Sequence, residues 1–254
     1  MKIVYRLIGM VMLGISHTLS ATSLYQHSND WHGIVGFGSL VRTEPYKDIK
    51  SSVLPLPYLI MRRGNFFVTG LKAGYRLLEG NQSNFDVIFK PRLEGFEAPE
   101  SAFFDGLDDR DFSLDGGIAT MWRQGLVEFN LSAVTDLLHK NDGREVKASV
   151  GKTYNLINQM TLFTPSIGLK WKSDKLVNYY YGVASPQVTL DRPAYTGEAT
   201  MNYTAAVNAT YAATKRSTLF ADVEYEHFGP NISDSPLVDD EHKISIFLGY
   251  GWQF

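Results

Sequence analysis

The residues of this chain that could do chemistry are its histidines and the carboxylates spaced around them. Asp239-Asp240-Glu241-His242 sets Asp240 and His242 two residues apart, hence on one face of a strand. A carboxylate and an imidazole so placed can activate water. An acidic solvated loop that ends in a histidine has the same sequence, and that is the plainer reading. Ser132 and His139 stand seven residues apart, on opposite faces of any regular strand, so they do not form a nucleophile–base pair. His227 follows Asp222, Glu224 and Glu226 but carries the opposite parity, and His27 and His32 have no metal-ligand spacing. From these sets no catalytic residue, metal site or cofactor is expected.

A larger set of charges points elsewhere. Asp222, Glu224 and Glu226, with Glu128 and Glu145, lie on the polar face of their segments, as do Lys90, Arg92, Lys147, Lys170 and Lys172. Enclosed charges need partners. These residues are therefore expected to pair across an interior as packing, with a charged pore selective for small solutes as the alternative.

The elements that would hold them alternate with a period of two. In the last stretch, Ile244, Ile246, Leu248, Tyr250, Trp252 and Phe254 face one way. Lys243, Ser245, Gly249, Gly251 and Gln253 face the other, with Phe247 as the exception. Aromatic Tyr250, Trp252 and Phe254 crowd the end, as where a membrane-spanning strand meets the headgroups. The same alternation recurs in 85–94, 126–137, 200–211 and 218–227. Such runs exceed the roughly five or six residues of soluble strands and are long enough to cross a bilayer when tilted. The pattern predicts an all-β fold, a single antiparallel transmembrane β-barrel.

Eleven runs are clear: 31–43, 53–62, 66–78, 84–95, 111–123, 126–138, 144–155, 159–172, 199–213, 217–228 and 242–254. Bacterial single-chain barrels have an even number of strands. Twelve are favoured, with the twelfth at 175–183; ten follow if 31–43 lies outside the wall. The twelve-strand reading puts two of the long connections (96–110, 138–143, 173–198, 229–241) at the end that holds the termini. Tyr179-Tyr180-Tyr181 is expected in an interfacial aromatic belt.

The N-terminus reads as a secretory signal over residues 1–21. Lys2 and Arg6 precede an apolar run at 7–15, and small polar residues lead to cleavage after Ala21. The mature barrel would span 22–254. Without Lys2 and Arg6, the 24 basic residues fall to 22 against 27 acids, a net charge of −5. That balance argues against a nucleic-acid partner. The chain has no cysteine, which excludes disulfides and a lipid-anchored cysteine. Export through the periplasm to the outer membrane of a Gram-negative cell is expected, with outer-membrane lipid as solvent.

Six stretches then occur in a telling order. They are Pro45-Tyr46; Pro55-Leu56-Pro57-Tyr58; Phe66-Phe67 with Gly74-Tyr75-Arg76-Leu77; Gly106-Leu107-Asp108-Asp109-Arg110-Asp111; Asn178-Tyr179-Tyr180-Tyr181-Gly182-Val183; and Asp234-Ser235-Pro236-Leu237-Val238. Together they resemble the MltA-interacting protein family, MipA/OmpV, of outer-membrane proteins, across essentially the whole mature chain. Lys47-Asp48 stands where the family usually has a glycine soon after the tyrosine. The Asp240/His242 pair is also similar to that of omptin-type outer-membrane proteases, but their second acidic pair has no match.

The family resemblance implies a non-enzymatic barrel that acts as an interaction or scaffold protein. It implies periplasmic murein enzymes, a lytic transglycosylase and a penicillin-binding protein, as partners. A porin-like channel for small solutes and a surface adhesin acting through 184–198 and 229–241 are the alternatives.

Overall fold

A computed structural model describes residues 30–98, 101–156 and 161–254. The expected signal segment, its cleavage point and His27 lie outside the described residues. Thirteen strand segments form one closed antiparallel sheet. They are β1 (His32–Thr43), β2 (Ser51–Arg63), β3 (Phe66–Thr69), β4 (Lys72–Glu79), β5 (Ser83–Arg92), β6 (Ser113–Gln124) and β7 (Val127–Asp136). There follow β8 (Arg144–Lys152), β9 (Tyr154–Leu156), β10 (Thr161–Lys172), β11 (Thr200–Ala212), β12 (Ser217–His227) and β13 (His242–Gln253). β8 and β9 pair with successive stretches of β10 and together make one stave, so the wall has twelve. β1 pairs with β2 and also with β13, from Ile34↔Gln253 to Arg42↔Ser245, which closes the ring.

Twelve is the expected number, reached by another route. Residues 175–183 are not a strand: α1 (Asp174–Tyr181) is a helix. The Ser173 side chain caps it, Asp174 sits in its first turn, and Leu176/Tyr180 and Val177/Tyr181 are buried four residues apart. The alternation Val177, Tyr179, Tyr181 suggested a strand, but the helical spacing buries more. The twelfth stave instead comes from 66–78, which is two short strands. Gly70 takes φ +59° at the first central position of a two-residue turn, where a β-hairpin of the primed kind needs glycine.

With that split, every long connection (44–50, 93–112, 137–143, 173–199, 228–241) lies at the end opposite the termini. The expected placement of two of them beside the termini is thereby corrected. Among the described residues the other end has only short turns, such as 64–65, 80–82, 125–126 and 213–216.

The wall alternates as its sequence does. Outward residues such as Phe37, Val53, Ile167, Tyr203 and Leu248 are exposed, an apolar surface suited to lipid. At the short-turn end, Phe66, Trp122, Phe129, Tyr154, Tyr211 and Trp252 form an aromatic girdle. Tyr250 and Trp252 meet edge to face at 4.5 Å, and the Phe254 N–H donates to the Gly33 carbonyl, tying the C-terminus to β1.

Candidate functional site: the lumen and its cap

Inward side chains divide the lumen into two flanks. The flank of β5 to β12 is charged. Lys90 meets Glu145 at 2.9 Å; Arg92 bridges Asp115 at 2.6 Å and Glu145 at 3.0 Å. Lys147 pairs with Glu224 at 2.6 Å, and Lys170 with Glu226 at 2.5 Å and Glu224 at 3.3 Å. Lys172, fully buried, reaches Glu94 at 2.9 Å and Glu226 at 3.8 Å. Asp222 has no cation among the described residues; it accepts from Asn208 Nδ2 at 2.5 Å. Each charge removed from water is matched by an opposite charge or a donor, as burial demands.

Asp115 was not legible in advance. It lies in Leu114-Asp115-Gly116-Gly117, where glycines replace the apolar residues that would mark the alternation.

The flank of β13, β1 and β2 is apolar toward the short turns and polar toward the cap, where Arg42 meets Glu44 at 2.5 Å and Ser52 at 3.0 Å. Tyr58 stacks on Phe247 with ring centroids 4.9 Å apart and meets Phe220 at 4.5 Å; Ile34 and Ile60 complete this cluster. The one apolar residue on the polar face of β13, Phe247, therefore has its counterpart on the neighbouring inward face.

Above both flanks the long connections close the mouth. Thirteen buried apolar residues form a cluster drawn from all but the 137–143 connection. Its members carry the loop motifs: Tyr46, Leu107, Tyr180, Tyr181, Leu237 and Val238. Tyr46 stacks on Tyr181 at 5.6 Å and meets Phe96 edge-on at 4.9 Å. Tyr180 and Tyr181 are thus buried in the cap rather than placed in a belt. Burial drives the Tyr46 and Tyr181 hydroxyls well above the ordinary tyrosine range, with neighbouring acids adding to the effect.

Backbone bonds lock the segments together. The Lys47 N–H donates to the Leu237 carbonyl at 3.0 Å and the Asp239 N–H to that of Pro45 at 2.8 Å. Asp48 takes φ +62°, a left-handed conformation that glycine adopts freely and Asp tolerates.

Two charged groups fix the cap. Arg192 is 1% exposed and donates to the carbonyls of Gln187 (2.9 and 3.1 Å), Asp105 (3.0 Å) and Phe103, joining the 93–112 and 173–199 connections. Burial lowers its pKa from the guanidinium norm. Nothing in Asp191-Arg192-Pro193 announces that role. Glu94, beneath the cap, would be raised by burial, but Lys172, Arg92 and Lys243 outweigh that and hold it at about 2.

The residues weighed for chemistry lie apart. The His242 ring stacks on Tyr225 at 5.5 Å, and Asp240 is exposed in a loop. His139 pairs with Asp142 in an exposed turn, away from Ser132 on β7. Among the described residues no group of three or more His, Cys, Asp or Glu is placed to hold a metal.

At the short-turn end, Arg63, Lys152, Lys215 and Arg216 are exposed, and Arg62 pairs with Glu79 through two hydrogen bonds. At the capped end the exposed charges are mostly acids, among them Asp105, Asp108, Asp109, Asp239, Asp240 and Glu241.

The family model described as MltA-interacting protein MipA matches residues 35–254. The MltA-interacting protein of Escherichia coli (strain K12) is 25% identical over 225 residues, covering 87% of this chain and 89% of that one. Outer membrane protein OmpV of Vibrio cholerae serotype O1 is 23% identical over 235 residues, covering 91% and 90%. Among solved structures, the NanC porin aligns with 87% of this chain and 100% of its own at 11% identity and a TM-score of 0.44.

Proposed function

We propose, from the premise that this chain belongs to the MltA-interacting protein (MipA) family of outer-membrane barrels, that it is a non-enzymatic scaffold for murein-remodelling enzymes. Barrels of the bacterial outer membrane keep their short turns in the periplasm and their long loops outside. The cap then faces the exterior and the basic rim faces the murein.

The observation that carries this reading is the closed mouth. Thirteen buried apolar residues sit over a floor of ion pairs that includes the fully buried Lys172 and Glu226. A lumen sealed in this way does not serve passage, which leaves the outer surfaces to act. Of these, the periplasmic rim presents Arg63, Lys152, Lys215 and Arg216 on short turns. Cations carried on short turns suit an acidic partner surface, because little loop ordering is lost on contact. A lytic transglycosylase and a penicillin-binding protein are the proposed partners, the first in keeping with the name of the Escherichia coli relative, MltA-interacting protein, and the second from the family resemblance.

The test is a pull-down from detergent-solubilised membranes at native expression, probed for periplasmic murein enzymes. Their recovery with the wild type and loss with the double variant Lys215→Glu, Arg216→Glu is expected. No recovery of any such enzyme would overturn the reading.

One observation favours a second reading, a small-solute channel. The side chains of Lys90, Lys147 and Glu224 keep 32% exposure, so water reaches the middle of the lumen. Planar-bilayer recording separates the two. The scaffold reading expects silence, and stepwise conductance whose ion selectivity changes in Glu224→Lys would favour the channel.

A further inference from the structure

The wall is incomplete on one side. β3 meets β2 only from Ile60↔Thr69 to Arg63↔Phe66, and β4 meets β5 only up to Ala73↔Phe89. Above the Gly70 turn, no described strand pairs with that edge of β2 over residues 51–58, nor with the facing edge of β5 over 90–92. The missing hairpin leaves a seam of about three strand spacings at its sill, roughly 14 Å.

Open edges are not tolerated in hydrocarbon, because each unpaired N–H costs free energy there. The sequence answers that cost with proline. The Gly70 N–H donates to the Leu59 carbonyl at 2.7 Å, so odd positions of β2 direct their backbone groups toward the seam. Pro55 and Pro57 are odd and bring no N–H. On the other side, the Leu114 carbonyl accepts from the Leu137 N–H just past the end of β7. Its partner in the β5–β6 ladder, Pro91, therefore points away from β6 and into the seam. The remaining wall proline, Pro165, falls in the break between the β8 and β9 pairings. Three prolines on the parity that would otherwise strand donors mark the seam as a built feature.

What adjoins the seam has two characters. Leu54 and Leu56 follow the inward parity of buried Tyr58 and Ile60, with Leu40 beside Leu54 on β1. At the sill, Lys72 starts β4 on the inward parity of Gly74 and Arg76. Among the described residues it has no carboxylate within ion-pair distance, only the Phe67 ring at 6.0 Å. An inward lysine that makes no ion pair, with Asp86 as the acid that acts on it most, stands beside an apolar path that leads into the bilayer.

We propose that this seam is a lateral port for a single-chain anionic amphiphile of the surrounding membrane. Lys72 holds its carboxylate or phosphate head inside the lumen, and its acyl chain passes between β2 and β5 along Leu54 and Leu56 into lipid. The leucines supply the apolar contact and the lysine a charge-assisted one. This port is independent of the murein partners, since it uses neither the cap nor the basic rim.

The test is photocrosslinking of the full-length barrel in nanodiscs with a diazirine-bearing palmitate, followed by mapping of the labelled peptides. Adducts on Leu54 and Leu56, displaced by laurate but not by dodecyl maltoside, are expected. Lys72→Gln should weaken palmitate labelling roughly tenfold, the loss of one charge-assisted contact. Leu56→Trp, which fills the path and keeps the lysine, should also reduce it; it stands in if Lys72→Gln loses heat-modifiable migration. Adducts confined to outward residues such as Val53, Phe37 and Leu248, at equal yield in wild type and variants, would reduce the probe to boundary lipid and overturn the port. Displacement by the maltoside as readily as by laurate would overturn the role of Lys72.

Discussion

The two ends of this barrel are built on opposite principles. The outer end gathers four connections into a buried apolar cluster over ion pairs, and its exposed charges are mostly acidic. The periplasmic end has turns of a few residues, a smaller buried cluster of Ile34, Tyr58, Ile60 and Phe220, and exposed cations at Arg63, Lys152, Lys215 and Arg216. The difference teaches where each end's residues act. At the outer end, substitutions should change stability. At the periplasmic end they should change contacts and leave the fold alone.

The sharpest break in that contrast comes from the floor of the cap. Glu226 is 1% exposed, accepts from Lys170 and Asn202, and lies 3.8 Å from Lys172. Glu226→Ala leaves two buried ammonium groups undercompensated and should cost about 3–5 kcal/mol in urea unfolding of the detergent-solubilised barrel. A loss below about 1 kcal/mol would mean that water reaches these lysines and that the outer end is open.

Acid should act on the same end. Glu94 has a carboxyl held at about 2 against an ordinary 4.5, so its contribution is present above pH 4.5 and is lost as pH falls toward 2. That shift corresponds to about 3 kcal/mol. Unfolding followed across this window should show the decline, and Glu94→Gln should flatten it.

Smaller again is Arg192→Met. It removes the donors that join the Phe103, Asp105 and Gln187 carbonyls and should cost about 2 kcal/mol. Protease nicking of the 93–112 and 173–199 connections should become faster while the wall stays intact. At the other end, Lys215→Glu with Arg216→Glu should move stability by less than about 0.5 kcal/mol. An effect there as large as at Glu226 would erase the contrast.

The wall was largely legible in the sequence because a strand with lipid on one face and a polar lumen on the other must alternate at every second residue. Turns inside an alternating run were less so. Residues 66–78 looked continuous, yet inward Phe67 is odd while inward Gly74 and Arg76 are even, and that change of parity at Gly70-Leu71 is the trace of the hairpin. Residues 175–183 misled because Val177, Tyr179, Tyr181 and Val183 fit a strand while Leu176/Tyr180 and Val177/Tyr181 fit a helix. Ser173-Asp174, a cap with an acidic first turn, was the cue that favours the helix.

The lumen charges were readable as a set, since parity alone selects Lys90, Arg92, Lys147, Lys170, Lys172, Asp222, Glu224 and Glu226. Their partners were not, because pairing depends on strand neighbours and inclination. Lys172 meets Glu94 across 78 positions of sequence. The cap was least legible of all: apart from the helix at 174–181 its segments carry no period, and their contacts exist only once the barrel brings four connections together.

The account rests most heavily on the periplasmic rim as the surface that meets a partner. A photoreactive amino acid placed at Lys215, and separately at Leu190, which is wholly exposed at the tip of an outer loop, tests this in intact cells. The account predicts adducts with murein-remodelling enzymes from position 215 and none from position 190. Protein adducts from position 190 together with none from position 215 would contradict it.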